Sequence, residues 1–252
     1  MDTANRSMAT IKRNLLNQLL ARLPAGTPIT SEELSDLGIS ADLAVHYVRA
    51  GWLIRLARGV FMRPADTLLL HPSLRLLERK VSGLHVGGKS ALEWRGIRHY
   101  VPQRTTLHLY GWVAAQLPDW FQQRFPSEYH RKRLFNEQPQ SMLHVARFQS
   151  DDNAPLVSSP ERALLELLSE VGVRQSLSEA RELTEGTHTL RSSVLVELLK
   201  NCTNVKTVRL CLTLGRELSL PWANKLDPKA LPTGSDKPWV SRSRNGTLIL
   251  KP

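Results

Sequence analysis

Cysteine is nearly missing from this chain: its 252 residues include two, Cys202 and Cys211. Two thiols at that spacing make neither a disulfide scaffold nor a zinc site. Aromatic residues amount to 6%, so the core must be built mostly from aliphatic side chains. No uninterrupted apolar run approaches membrane-spanning length, and residues 1–11 hold no apolar stretch of the secretory kind. We therefore expect a soluble protein of the cytoplasm, a reducing compartment, with no membrane partner. Acidic residues are the other shortage, 23 against 34 Lys and Arg, for a net charge of +11 and a pI near 10.1. An excess of that size points to a polyanionic partner.

What is present fits a folded chain. Hydrophobic residues make up 41% and charged residues 23%, enough for one large domain or two smaller ones and unlike a disordered chain. The basic excess is uneven. Residues 1–95 carry 13 basic and 8 acidic residues, 96–150 carry 7 and 3, and 151–252 carry 14 and 12. The polyanion-facing surface is therefore expected in the first part of the chain.

Four signals follow one another there. Leu15, Leu16, Leu19, Leu20 and Leu23 recur at helical spacing over residues 12–23, and Pro24-Ala-Gly26 stops that helix. Thr30 with Glu33 forms a capping box for a short second helix that Gly38 ends. Ser40 caps a third helix running to about Ala50, closed by Gly51. Residues 52–62 then read as two short strands around a turn near Ala57-Arg58-Gly59. Three helices with a short Gly-containing turn, then a hairpin, is the winged helix-turn-helix order. On the third helix Ile39, Leu43, Tyr47 and Ala50 suit a core stripe. Asp42, Val45, His46 and Arg49 repeat the same spacing on the opposite side, beside Ala41. Such an edge fits a major groove, with Arg49 or His46 as base donors, while Arg55, Arg58 and Arg63 of the wing meet phosphates or a minor groove. A winged helix that docks a protein remains the alternative, each arginine then being a solvated charge and His46 a plain surface histidine.

Beyond Pro64 the pattern is mixed. Residues 67–70 and 74–81 are helical or linker-like. Gly87-Gly88 precedes a short helix from Lys89 to Arg95, with Gly96 behind it. Residues 105–110 alternate as a strand, with 132–135 and 142–148 as further strand candidates. Trp94, Trp112 and Trp120 are expected to seat this region, and Arg131-Lys132-Arg133 to be a solvated turn or an extra phosphate contact. Ser159-Pro160-Glu161 starts a helix whose buried face is Ala163, Leu164, Leu167 and Leu168. Helices over 177–183, 190–199 and 205–218 follow, then a turn-rich tail with a last strand at 247–250. The fold class is α+β: residues 1–65 form the winged helix-turn-helix, and residues 66–252 a larger domain, mixed α/β to about 150 and mainly helical over 158–218.

Catalytic signatures are missing. Pro118-Asp119 has no Glu-x-Lys downstream to complete a restriction-type nuclease motif, and Glu78-Arg-Lys80 lies upstream as a helix-surface pair. No phosphate loop, dinucleotide fingerprint, metalloprotease motif or nucleophile elbow occurs. The eight histidines, among them His85, His99, His108, His130 and His144, show no metal-ligand spacing. Gly234-Ser235-Asp236 lacks the second carboxylate of a nucleotidyltransferase. We expect no enzyme, metal or cofactor; a nuclease with a degenerate motif is the competing reading.

Residues 31–64, especially Gly51-Trp-Leu and Arg55-Leu-Ala-Arg-Gly-Val-Phe-Met, resemble the N-terminal winged-helix domain of AbiEi-type antitoxins. Gly87-Gly-Lys-Ser-Ala-Leu, Ser159-Pro-Glu-Arg-Ala-Leu-Leu-Glu-Leu-Leu and Trp222 with Leu226-Asp227 resemble the antitoxin domain that follows, in the same order. The resemblance implies the antitoxin of a bacterial type IV toxin–antitoxin system with a part in abortive infection and phage defence. It implies repression of its own operon through inverted repeats in double-stranded DNA, and opposition to a nucleotidyltransferase-like toxin. On that resemblance Ser40, Asp42, His46, Arg49, Arg55, Arg58 and Arg63 inherit DNA contacts. Phe61 stands where the family pattern leads us to expect Tyr. No residue of the C-terminal domain is assigned to neutralisation, and a monomer is expected rather than an obligate dimer.

Overall fold

The computed structural model describes residues 14–97, 106–138, 141–150, 154–243 and 246–250. The chain divides into two compact units, residues 1–80 with 117–125 and residues 81–116 with 126–252.

The first unit opens with α1 (14–22), whose leucine periodicity buries Leu16 and Leu19, with Leu23 just beyond it. Strand β1 (Ile29–Thr30) leads straight into α2 (Ser31–Asp36). Here the capping box read from the sequence is complete: Thr30 Oγ1 accepts from the Glu33 amide and the Glu33 carboxylate accepts from the Thr30 amide. Ser40 caps α3 (Ala41–Arg49) through the Leu43 amide. Both helices end in the same way. Gly38 and Ile39 return their amides to Ser35 and Leu34, and Gly51 and Trp52 return theirs to Val48 and Tyr47. This is the paired bonding of a Schellman C-cap. Gly51 takes φ +74° to achieve it, a conformation that costs a side-chain-bearing residue roughly 1 kcal/mol.

The hairpin β2 (Ile54–Ala57) and β3 (Val60–Met62) turns at Arg58-Gly59, and β1 adds to it, giving an antiparallel sheet in the order β1-β3-β2. All three β3 residues are buried, whereas β2 begins exposed. The core joins Leu16, Leu19, Leu34, Tyr47, Leu53 and Phe61. One expectation for α3 needs correction: Ala44, not Ala50, shares the buried stripe with Tyr47. Ala50 is the C-cap, where the chain leaves the helix toward Gly51, so it is exposed. Helix α4 (Leu70–Lys80) follows, in the stretch read as helical or linker-like.

The second unit is laid on a five-stranded mixed sheet in the order β6-β5-β4-β8-β7. Its first elements are β4 (His85–Val86), α5 (Gly88–Trp94) and β5 (Leu107–Gly111). The chain then contributes α6 (Asp119–Arg124) to the first unit, burying Trp120 and Phe121 there. Trp120 therefore belongs to the first unit, while Trp94 packs edge-on against Phe148 in the second. Back in the second unit come β6 (Ser127–Arg131), β7 (Val145–Arg147) and β8 (Leu156–Ser158). The strand expected at 132–135 is displaced: β6 ends at Arg131, and Phe135 makes only an isolated bridge to Cys202.

Ser159 caps α7 (Pro160–Ser169) as expected, but every residue from Glu161 to Ser169 is buried, charged ones included. Helices α5, α8 (Leu177–Glu185), α9 (Ser192–Lys200) and α10 (Val205–Glu217) all pack on α7. The tail closes as a hairpin, β9 (Trp239–Ser243) with β10 (Gly246–Leu250). No helix among the described residues is long and apolar enough to cross a membrane.

Candidate nucleic-acid interface

Ser40, Ala41, Asp42, His46 and Arg49 of the α3 segment are exposed, and Val45 between them is half-buried. The i, i+3, i+4 spacing thus leaves one edge of α3 open while Ala44 and Tyr47 hold the helix to the core. Asp42 sits in the first turn, where the helix dipole favours a carboxylate, and His46 and Arg49 in the last turn, where it favours cations.

The β2–β3 hairpin is tied closely to this helix. The Tyr47 carbonyl accepts from both Trp52, at 2.9 Å, and Leu53, at 3.3 Å, so α3 and β2 are linked through four residues of fixed backbone. Arg55 and Arg58 are exposed, and the Arg55 guanidinium lies 5.7 Å from the centre of the Phe61 ring. A register shift between Arg55 and Ala57 bulges β2 beside the turn. Gly59 at that turn has φ +72° and its carbonyl accepts from the Ser31 amide, which anchors the hairpin on α2. Arg63, just after β3, differs from Arg55 and Arg58. It is half-buried, donates to the Leu23 carbonyl at 3.2 Å and approaches Asp66 at 3.6 Å. Sequence reasoning missed two large apolar side chains at the same junction, Trp52 at 50% exposure and Ile54 at 40%. Their position right after the Gly51 cap was the available signal.

The second unit buries several charged groups. Glu166 accepts from Arg162 Nε at 2.8 Å, pairs with His85 Nε2 at 2.8 Å, and accepts from Ser158 and the Gly88 amide. Burial pushes its carboxyl pKa up, yet His85 and Arg162 outweigh that and hold it at about 2. Glycines 87 and 88 belong to this network: a Cβ on Gly87 would lie 2.6 Å from the Tyr110 ring and closer still to Glu166. Glu161 is likewise held at about 2, against the opposing effect of burial, by Arg191.

Lys132, expected in a solvated turn or on a phosphate, instead pairs with Glu170 and donates to Ser169. Alongside lies a further histidine cluster. The parallel register of β5 and β6 sets His108 opposite Glu128 and Tyr110 opposite His130. His108 Nδ1 and His130 Nε2 stand 3.0 Å apart, and Glu128 Oε2 lies 3.8 and 3.9 Å from them. Tyr110 stacks on His130 at 4.6 Å. Burial first, then the neighbouring His130, lowers the His108 pKa to about 4. Two of the eight histidines, His108 and His130, thus lie with Glu128 in one group of candidate ligand atoms, which the spacing in the sequence does not reveal. They come together across strands twenty-two residues apart, which no spacing rule within one segment registers. The legible signal was the i, i+2 pairing of His108 with Tyr110 and of Glu128 with His130, one face of each strand.

The elements and their charge define a two-unit α+β protein whose smaller unit offers an open helix edge beside a hairpin that carries the exposed Arg55 and Arg58. Residues 12–103 match the family described as "Transcriptional regulator, AbiEi antitoxin N-terminal domain". Residues 104–251 match "Transcriptional regulator, AbiEi antitoxin, Type IV TA system". The chain belongs to the AbiEi antitoxin family, the transcriptional regulators of type IV toxin–antitoxin systems. In fold it is similar to the solved structure titled "Crystal structure of RV2827C protein from Mycobacterium tuberculosis". The TM-score is 0.57 at 16% identity, over 92% of this chain and 89% of that one. No curated protein matches the sequence.

Proposed function

We propose that the protein is an autorepressing antitoxin whose first unit is a winged helix-turn-helix reading operator DNA. Residues 1–65 carry the reading module in this proposal and 66–252 the antitoxin domain. The open edge of α3, Ser40, Asp42, Val45, His46 and Arg49, enters a major groove. There Arg49 donates to guanine and Asp42 accepts from a cytosine amino group. Arg55 and Arg58 meet phosphates or the adjacent minor groove, and Arg63 contributes at most after leaving its Leu23 carbonyl. The observation that carries the reading is that this edge is exposed while the helix behind it is locked to the core by Tyr47 and to the wing by the Tyr47 carbonyl.

The operator consists of inverted repeats in the promoter of the protein's own operon, met by a protein that is monomeric in the cytoplasm. The second unit opposes a nucleotidyltransferase-like toxin, within a phage-defence system, without catalysis of its own. Family membership supports this pairing of regulator and antitoxin. The test is fluorescence anisotropy of the full chain on its upstream promoter fragment and on a scrambled fragment of equal length. The expected result is tighter binding to the promoter, with affinity falling steeply as salt rises. Equal affinity for both fragments at every salt concentration sinks the sequence-reading role, and co-expression with the adjacent toxin tests neutralisation separately.

A further inference from the structure

We propose that His108, His130 and Glu128 form a binding site for one divalent ion of the zinc class. The site lies at the β5–β6 pair of the second unit and is independent of DNA reading. The three candidate donor atoms, His108 Nδ1, His130 Nε2 and Glu128 Oε2, are separated by 3.0, 3.8 and 3.9 Å. A point equidistant from all three lies about 2.1 Å from each, the length of zinc–nitrogen and zinc–oxygen bonds. Two imidazoles and one carboxylate select a zinc-class ion over magnesium or calcium, which prefer all-oxygen sites.

The surroundings suit an ion. His130 is locked by the Tyr110 ring stacked upon it. Its remaining nitrogen, Nδ1, lies 3.7 Å from Glu170 Oε2 and 3.2 Å from Arg174 Nη1. Arg174 now donates to Nδ1; for Nε2 to bind a metal, Nδ1 must take the proton and turn from Arg174 to the Glu170 carboxylate, giving the carboxylate–histidine–metal arrangement that orients a ligand ring. The nearby cations are already matched, Lys89 with Glu179 at 2.7 Å and Lys132 and Arg174 with Glu170. Among the described residues the ion-pair partners of Glu128 are the two imidazoles alone. A cavity of about 20 Å³ adjoins the three donors, room for one water as a fourth ligand.

The experiment titrates the untagged full-length protein with Co²⁺ and follows its visible absorption, then adds Zn²⁺. The expected result is one cobalt per chain with the bands of a nitrogen- and oxygen-ligated four-coordinate ion, bleached by zinc. His108→Ala and Glu128→Ala each weaken binding at least about tenfold, whereas His144→Ala, which alters the separate His144–Glu197 pair, leaves it unchanged. Glu128 is about half exposed, so Glu128→Ala carries the test even where His108→Ala does not fold. Less than one cobalt per chain, or binding that survives both substitutions, overturns the proposal.

Discussion

Arg162 grips Glu137 through both terminal nitrogens, Nη1 to Oε2 at 2.7 Å and Nη2 to Oε1 at 2.8 Å. Both side chains are almost wholly buried, and the same guanidinium reaches Glu166 through Nε and lies 4.7 Å from the centre of the Phe135 ring. One cation thus compensates two carboxylates inside the second unit. Arg162→Met keeps the volume and removes the charge, leaving Glu137 without its buried partner. The expected loss is about 3–5 kcal/mol, the range for breaking a buried pair from one side. Urea unfolding measures it as a lowered midpoint. A loss of unfolding free energy under about 1 kcal/mol contradicts this account of the interior.

The buried carboxylates of α7 set the response to acid. Glu161 and Glu166 both have folded-state pKa values of about 2, below the ordinary carboxylate value of 4.5. A depressed carboxylate adds stability that is fully present above its unfolded pKa and is lost as pH falls through its folded pKa. Stability from these groups is therefore level near neutrality and declines between about pH 4.5 and pH 2. Circular dichroism during an acid titration should show the loss in that window. Glu166→Gln should flatten the slope there while lowering stability at pH 7.

Local signals were legible where one residue decides a local geometry. Thr30, Ser40 and Ser159 cap helices, and Gly38 and Gly51 end them, because each satisfies orphaned backbone groups within a few residues. The exposure of Asp42, His46 and Arg49 followed from helical periodicity alone. What stayed hidden was decided across the fold. Strands β4 and β8 have two and three residues, too short to show alternation. Glu161, Arg162 and Glu166 look like a solvent face of α7 until α5 and α9 cover them. Arg63 reads as a wing cation like Arg58, and the positions of the Leu23 carbonyl and Asp66 separate the two.

Gly51 tests how firmly the β2–β3 hairpin is aligned with α3. Its φ of +74° carries the chain from Arg49 to Trp52 within two residues, and open space surrounds the site where a Cβ would stand. Gly51→Ala therefore meets backbone strain and no steric clash. The expected cost is about 1 kcal/mol of stability. Thermal unfolding checks this value. Gly87→Ala should cost considerably more, since its Cβ runs into both Tyr110 and Glu166.

The arginines of the proposed DNA face separate by what each does to specificity and salt. Arg49→Ala on α3 should weaken operator binding by about 1–3 kcal/mol and leave binding to scrambled DNA nearly unchanged, as for a base contact. Arg58→Ala at the hairpin turn should weaken both equally and reduce the slope of log affinity against log salt by about 1, the mark of one phosphate contact. Arg63→Ala should act differently again, because its guanidinium already serves the Leu23 carbonyl. It should lower stability by about 0.5–1.5 kcal/mol, the net worth of a hydrogen bond, with the salt slope intact. Anisotropy titrations on both fragments at four salt concentrations distinguish the three outcomes. If Arg49→Ala and Arg58→Ala behave alike on operator and scrambled DNA, α3 is a backbone contact and base reading must lie elsewhere on the chain.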